Sequence, residues 1–239
     1  MLWYKAWLET RARFLICLLG LGAVCGFFTH HNLSLALPDT HMSFYHSTTF
    51  YAHQYLTGMW LLSAGLLGLG GLLREKAVGT TSFTLPLPVS RGRLMGVRIA
   101  VGLAEAIVLA VVPWLIIYLI ASSGGKPVPT GQAGYYLLLL LGGGLSYFAL
   151  AVLVSCLVEG EYTAPAIVYG VVILTNVVPG NIDRFQSLSI FRLMSGTAVL
   201  DRRSFLLAEP VPWFSLWVCI GLTVLMLLAS VQIVQRREF

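Results

Sequence analysis

One carboxylate lies deep inside an apolar stretch of this sequence. Glu105 follows Arg98 by seven residues, a rise of about 10 Å along a helix, and apolar residues flank it on both sides. An ionisable group in such surroundings is costly and usually faces protein or water. Two roles stay open. Glu105 either faces a pathway, where it binds a cationic substrate or gates the route, or ties two helices together through an ion pair or hydrogen bond.

The histidines are the other candidates for chemistry, and all five fall between residues 30 and 54: His30, His31, His41, His46 and His53. Imidazole binds soft divalent metals and titrates near neutral pH. Only the first two are adjacent, however, and Asp39 is the one carboxylate available to complete a shell. We therefore expect surface residues of a loop and no metal site.

Composition places these residues in a membrane. Hydrophobic residues make up 57% of the 239, charged residues 10%, and the mean hydropathy is +0.83. A water-soluble core does not explain such values. Six apolar runs predict an all-α fold with six membrane-spanning helices at 14–28, 56–73, 94–120, 135–158, 164–178 and 213–234.

Two of these runs, 14–28 and 164–178, are short for the roughly 20 residues of a typical span and must borrow length from their flanks. No Ala-x-Ala site follows the first run, so we expect a retained helix rather than a cleaved signal peptide. The cysteines Cys17, Cys25, Cys156 and Cys219 all lie inside or beside apolar runs without Cys-x-x-Cys spacing, which indicates packing residues.

Cations near the helix ends predict the orientation, because Lys and Arg are retained on the cytoplasmic side. Ten of the fifteen fall inside if both termini are cytoplasmic: Lys5, Arg11, Arg13, Arg74, Lys76, Arg91, Arg93, Arg98, Arg236 and Arg237. Segments 30–54 and 122–134 are then external. Segment 179–212 is external too, although it carries four arginines among three acids. Nucleic acid is not an expected partner, because no soluble segment carries a basic stripe with interleaved aromatic residues.

The first dozen residues have amphipathic spacing. Trp3 and Trp7 alternate with Lys5, Glu9 and Arg11, which predicts an interface helix at 1–12 that lies in the headgroup layer before turning into the first span.

Segment 74–93 carries the densest positive charge of the chain, between the second and third runs. A break at Gly79 followed by Pro86 and Pro88 predicts a short amphipathic helix that presents Phe83 and Leu85 for docking. Ser90 is placed to cap the next helix, with arginines at phosphate level after it. An ordinary anchored loop is the alternative.

Two other segments carry weaker signals. Glu159 and Glu161 form either a second cytoplasmic contact or an ordinary pair of solvated acids. Residues 181–212 alternate apolar groups with Arg184 and Arg192, which fits a re-entrant amphipathic helix or a plain external loop.

Glu75-x-x-x-Gly79-Thr80, followed by Leu85-Pro86-Leu87-Pro88-Val89-Ser90-Arg91, resembles the loop between the second and third helices of ABC-2 class permease subunits. Segment 5–11, the six-helix layout and the ending 236–239 are similar to that family too. Ala6 departs from it, because relatives often carry an acid beside the lysine.

The resemblance implies a coupling helix that docks in a groove of an ATP-binding subunit. It assigns that contact to Glu75, Gly79, Thr80, Pro88, Ser90 and Arg91, and we add Arg74, Phe83, Leu85 and Pro86 from the loop itself. It also implies that elements between the fifth and sixth helices close the outer end of the pathway.

No Gly-x-x-x-x-Gly-Lys-Ser/Thr occurs, and the glycines of 65–71 lack both the lysine and a preceding strand. Those glycines, like Gly22 and Gly26, are more typical of close helix approach. We therefore expect no cofactor on this chain, with ATP and Mg²⁺ held by two separate ATP-binding subunits. A second permease copy or a sister permease would complete the route.

We expect an exporter of an amphipathic or hydrophobic substrate in a bacterial cytoplasmic membrane. A sensor or assembly anchor that binds the ATPase without moving cargo is the first alternative. An intramembrane enzyme is the second, but it needs a nucleophile, base or metal set at membrane depth, and no Gly-x-Ser-x-Gly is present.

Overall fold

A computed structural model of the chain describes residues 2–35, 50–69, 90–125, 128–158, 163–181, 189–201, 207 and 210–236. These residues are helical throughout, apart from turns and a single antiparallel bridge between Leu200 and Leu207. The helices are α1 (Leu2–Leu35), α2 (Ala52–Gly68), α3 (Arg91–Ser123), α4 (Thr130–Leu157), α5 (Thr163–Asn181), α6 (Ile190–Met194) and α7 (Trp213–Arg236).

Four of these helices are long and apolar enough to cross a membrane: Leu2–Leu33, Gly92–Ser123, Gly131–Leu157 and Trp213–Arg236. They coincide with four of the six predicted spans. The apolar part of α5, Thr163–Thr175, is shorter, and the predicted span 56–73 runs past the described end of α2. The all-α class is thus confirmed, whereas the count of six spans stays a prediction.

The first helix corrects one expectation. The predicted interface helix 1–12 and the predicted span 14–28 are parts of one continuous helix of 34 residues, so the predicted turn between them is wrong. The physical reason is local, because neither glycine nor proline interrupts the chain between residues 2 and 19. At about 51 Å, α1 exceeds the hydrocarbon layer of about 30 Å, which lets its charged first turns extend beyond that layer.

Helix α4 lies at the centre of the bundle and contacts α2, α3, α5, α6 and α7, while α1 packs along α3. Three consecutive glycines of α4 make this possible. Gly142 faces Leu216 of α7, Gly143 faces Ile190 and Met194 of α6, and Gly144 faces the indole ring of Trp60 on α2. Without side chains on α4 at these positions, three elements reach its backbone.

Other glycines mark close contacts that the sequence indicated. Gly22 and Gly26 of α1 face Ile116 of α3, and Gly68 of α2 lies against Ala151 and the backbone of Phe148 on α4. The prediction that glycines of 65–71 and of the first run permit close helix approach is confirmed for those described.

We expect Gly144→Ala to destabilise the fold by about 1–3 kcal/mol, because the added methyl overlaps the ring of Trp60. That ring has no room to move: Trp60 is fully buried, and its Nε1 donates a hydrogen bond of 2.9 Å to the Ala106 carbonyl. Thermal unfolding in detergent measures the effect. The matched control is Gly221→Ala on α7, where a methyl meets open space; equal losses in the two variants would contradict the packing argument.

Candidate functional site

The described chain resumes at the last residues of segment 74–93. Ser90 has extended backbone angles (φ −62°, ψ 140°), and its side chain accepts a hydrogen bond from the Arg93 backbone N–H at 3.4 Å. The predicted cap of the third long helix is therefore confirmed. Arg91 is the first residue of α3.

The remaining residues predicted for ATPase coupling lie outside the described residues, and so does the predicted second contact. They are Arg74, Glu75, Gly79, Thr80, Phe83, Leu85, Pro86, Pro88, Glu159 and Glu161. Their roles, and those of Ser90 and Arg91 in docking, stay predictions.

The first turns of α1 and α3 meet through charged side chains. Arg98 Nη2 donates to Glu9 Oε2 at 2.7 Å, and Lys5 Nζ lies 3.7 Å from Glu9 Oε1. The Arg98 side chain is only 12% exposed, while that of Glu9 is 34% exposed. Glu9, predicted for a membrane-surface helix, thus joins α1 to α3, and Lys5 pairs with it within α1.

The other residues predicted for the interface helix point outward. Trp3, Trp7 and Arg11 are exposed, although the Trp7 ring also packs edge-on against Phe14 at 5.5 Å. Their position suits anchoring at the lipid headgroups, a role that stays a prediction.

Glu105 lies seven residues after Arg98 on α3, further along the same contact between α1 and α3. It is 3% exposed, and its Oε1 accepts a hydrogen bond of 2.5 Å from Thr10 Oγ1 of α1. Its Oε2 is buried and has no hydrogen-bond partner among the described residues. Of the two roles that the sequence left open, the helix-to-helix hydrogen bond is present, while the pathway role stays a prediction.

These five residues, Lys5, Glu9, Thr10, Arg98 and Glu105, form what we call the polar seam. Arg98 and Glu105 are seven residues apart and therefore share one face of α3, and Lys5 and Glu9 are four apart on α1. The sequence did not indicate a role for Thr10, because the hydroxyl of a threonine in a helix usually donates to a backbone carbonyl of the same helix. In this structure the single hydroxyl hydrogen of Thr10 points to Glu105, and the Ala6 carbonyl of its own helix lies 3.3 Å from Oγ1.

Helix α7 closes this end of the bundle. Its last turn places the Gln235 amide against Gly92, where a Cβ atom would collide with it. Segment 74–93 thus ends in the first residues of α3, whose first turns contact both α1 and α7.

The opposite end corrects the prediction for the histidines. His53 is not a surface residue: it is fully buried on α2, and its Nε2 donates to the Met194 carbonyl at 2.9 Å. Helix α2 begins at Ala52, before the apolar run 56–73 that predicted the span, so His53 lies within the helix and on its inward face. His30 and His31 are exposed on α1, while His41 and His46 lie outside the described residues.

Part of the segment that was predicted to be external is described at this same end. Ser189 caps α6 by accepting from the Arg192 N–H, and Gly196 follows with a φ of +73°. The Gln132 amide of α4 bonds both backbone groups of Leu207. The five-residue helix and its buried Leu193 and Met194 agree with an element packed on the bundle; its depth in the membrane stays a prediction.

The described residues contain no group of three or more His, Cys, Asp or Glu side chains that could hold a metal. All four cysteines are described, and none forms a disulfide. Cys25, Cys156 and Cys219 are buried, as expected of packing residues.

Membrane-length apolar helices and a central glycine-rich helix define an integral membrane protein. The family model described as ABC-2 family transporter protein matches residues 28–210, well over half of the chain. The chain therefore belongs to the ABC-2 transporter family, as a permease subunit, and such a subunit works with an ATP-binding subunit. A search of curated proteins gives no match.

We expect Thr10→Val to destabilise the protein by about 1–3 kcal/mol, because it leaves the buried Glu105 without its hydrogen bond across the seam. Thermal unfolding in detergent is the measurement. Thr223→Val is the matched control, since the buried Thr223 hydroxyl bonds only the Cys219 carbonyl of its own helix. In a Glu105→Leu background the Thr10→Val loss should shrink to that of the control; an unchanged loss there would refute the coupling.

Proposed function

We propose that this chain is the membrane-spanning half of an ABC exporter. It spans the membrane six times with both termini in the cytoplasm, pairs with a second copy or a sister permease, and docks two cytosolic ATP-binding subunits. ATP and Mg²⁺ belong to those subunits, and the cargo is amphipathic or hydrophobic. Family membership supports the permease part, and the charge distribution supports the orientation in a bacterial cytoplasmic membrane.

The proposed mechanism is mechanical. Closure of the ATP-binding subunits pushes segment 74–93, and this displacement shifts the permease halves. The observation that carries the proposal is the described end of that segment: Ser90 caps α3, so residues 91–93 of the segment are the first residues of a helix of 33 residues. A force applied there acts on the first turn of a long helix.

The polar seam supports the transmission of this movement. The Arg98 to Glu9 hydrogen bond and the Thr10 to Glu105 hydrogen bond hold α1 to α3 at two depths. Gly102 of α3 lies directly against the ring of Phe148 on α4, and Gly92 lies against Gln235 on α7. A displaced α3 therefore carries three neighbours with it instead of sliding past them.

The interior favours cargo without a high charge. Among the described residues Glu105 is the one buried carboxylate, and the large buried side chains are otherwise apolar or aromatic. A strongly charged cargo would meet little that compensates its desolvation. Whether Glu105 faces the route between two permease copies stays a prediction.

Docking is tested by Leu85→Asp, which places a charge on the predicted hydrophobic tip of segment 74–93. We expect at least a tenfold loss of the ATP-binding subunit that co-purifies with the tagged permease, because a buried, unpaired carboxylate costs several kcal/mol. Quantification of both chains after purification in mild detergent gives the ratio, which is 1:1 if two permeases hold two ATP-binding subunits.

Leu188→Asp is the control, since it makes the same change in the predicted external segment. Equal co-purification of Leu85→Asp and the wild type would refute docking through this segment. If docking is intact but no cargo stimulates ATP hydrolysis by the reconstituted complex, the chain is an anchor or sensor instead of an exporter.

Orientation is tested by labelling introduced thiols. We expect Pro88→Cys to react with a membrane-impermeant maleimide only after the membrane is opened, and His41→Cys to react in intact cells, because the cations of segment 74–93 hold it inside. Both variants are made in a background with the four native cysteines replaced by serine or alanine. Labelling of Pro88→Cys from the outside would reverse the orientation and remove the docking proposal with it.

A further inference from the structure

Three aromatic rings form a buried cluster at the end of the bundle opposite the polar seam. The ring centroids of His53, Trp114 and Tyr136 are 4.4 to 5.6 Å apart, and each side chain is at most 2% exposed. They come from three helices, α2, α3 and α4. The Met194 carbonyl at the end of α6 bonds the imidazole, and Gly196 packs against the Tyr136 ring.

Each ring carries a buried polar atom with no hydrogen-bond partner among the described residues: His53 Nδ1, Trp114 Nε1 and Tyr136 Oη. A buried polar group without a hydrogen-bond partner destabilises the fold, so three in one cluster are a large penalty. Two other aromatic side chains have paired polar atoms. Trp60 Nε1 donates to the Ala106 carbonyl, and the Tyr169 hydroxyl donates to the Leu62 carbonyl.

The donor and acceptor roles of the three atoms are fixed by chemistry. A carbonyl oxygen only accepts, so the hydrogen of a neutral His53 ring lies on Nε2, which faces Met194, and Nδ1 is an acceptor. The indole Nε1–H of Trp114 only donates, and the Tyr136 hydroxyl does either. The Thr57 hydroxyl does not fill the gap, because it donates to the His53 carbonyl at 2.8 Å.

A hydroxyl group matches this set. It donates one hydrogen to Nδ1 and accepts from the indole N–H, leaving its second lone pair for the tyrosine. A carboxylate has no hydrogen for Nδ1, and an ammonium has no lone pair for the indole. Both charged groups would also be desolvated among aromatic rings.

We propose that His53, Trp114 and Tyr136 form a binding site for a single hydroxyl group, supplied by an internal water molecule or by an alcohol group of an amphipathic cargo. The cargo source rests on the proposed transport function, whereas the site itself does not. Segment 189–201 covers the site, held by the bond between His53 and Met194, so an organic hydroxyl enters when that segment lifts.

Tyr136→Phe tests the site, because the sign of the change in the thermal midpoint depends on whether the Tyr136 hydroxyl is hydrogen-bonded. If the hydroxyl is unpaired, its removal leaves the thermal midpoint unchanged or raises it; if it binds a hydroxyl ligand, the midpoint falls by about 2–4 °C. The protein is the full chain in phosphatidylcholine nanodiscs, without an ATPase. Tyr55→Phe, at an exposed ring, should leave the midpoint unchanged, and Tyr169→Phe, which loses the bond to Leu62, calibrates a true loss.

A second readout does not depend on stability. Ultraviolet resonance Raman difference spectra between the wild type and Trp114→Phe isolate the Trp114 indole, whose N–H band should have the position of a hydrogen-bonded group. A midpoint of Tyr136→Phe equal to or above that of the wild type, or an unbonded Trp114 N–H, overturns the proposal.

The probe 1-butanol separates the two sources. If an organic hydroxyl occupies the site, the midpoint gap between wild type and Tyr136→Phe widens as 1-butanol is added. A constant gap assigns the site to water. Either result keeps the hydroxyl site, and neither depends on transport, so loss of the exporter proposal would leave this one standing.

Discussion

The close approach of helices to the α4 backbone is the constraint on which the bundle depends. In lipid, apolar side chains gain little by leaving one apolar environment for another, so association rests on packing and on satisfied polar groups. Gly142, Gly143 and Gly144 supply the packing by admitting α7, α6 and α2 to one stretch of helix. A side chain at any of these positions would push a whole element outward.

Polar groups then set the alignment of the helices around that centre. At one end the polar seam joins α1 to α3 with charges and a hydroxyl, and Trp60 bridges α2 to α3 deeper in the bundle. The partly exposed ion pair adds little stability by itself. The pair instead fixes how α1 is aligned along α3, because Arg98 and Glu9 meet at only one register of the two helices.

The two ends of the bundle differ in how their polar atoms are satisfied. The seam joins charged side chains of α1 and α3, although Glu105 Oε2 has no hydrogen-bond partner among the described residues. At the opposite end, three polar atoms of buried aromatic rings have no hydrogen-bond partner in the described part of the chain, next to Met194 and Gly196. The family match begins at residue 28, so the α1 half of the seam precedes it.

Local features were readable from the sequence. Apolar runs gave the all-α class and the four membrane-length helices, and Ser90 before Arg91 gave the cap of α3, because capping depends on neighbours in the chain. The pairing of Thr10 with Glu105, 95 residues apart, depends on how two helices pack and has no local signal. His53 was misplaced for the same reason: its polarity suggested a loop, whereas the rings of Trp114 and Tyr136 and the Met194 carbonyl surround it. The sequence by itself determined which segments become helices and enter a membrane, since both follow from side-chain chemistry at fixed spacing. Only the tertiary structure decided which polar groups meet, because that depends on the register and rotation of helices distant in the chain.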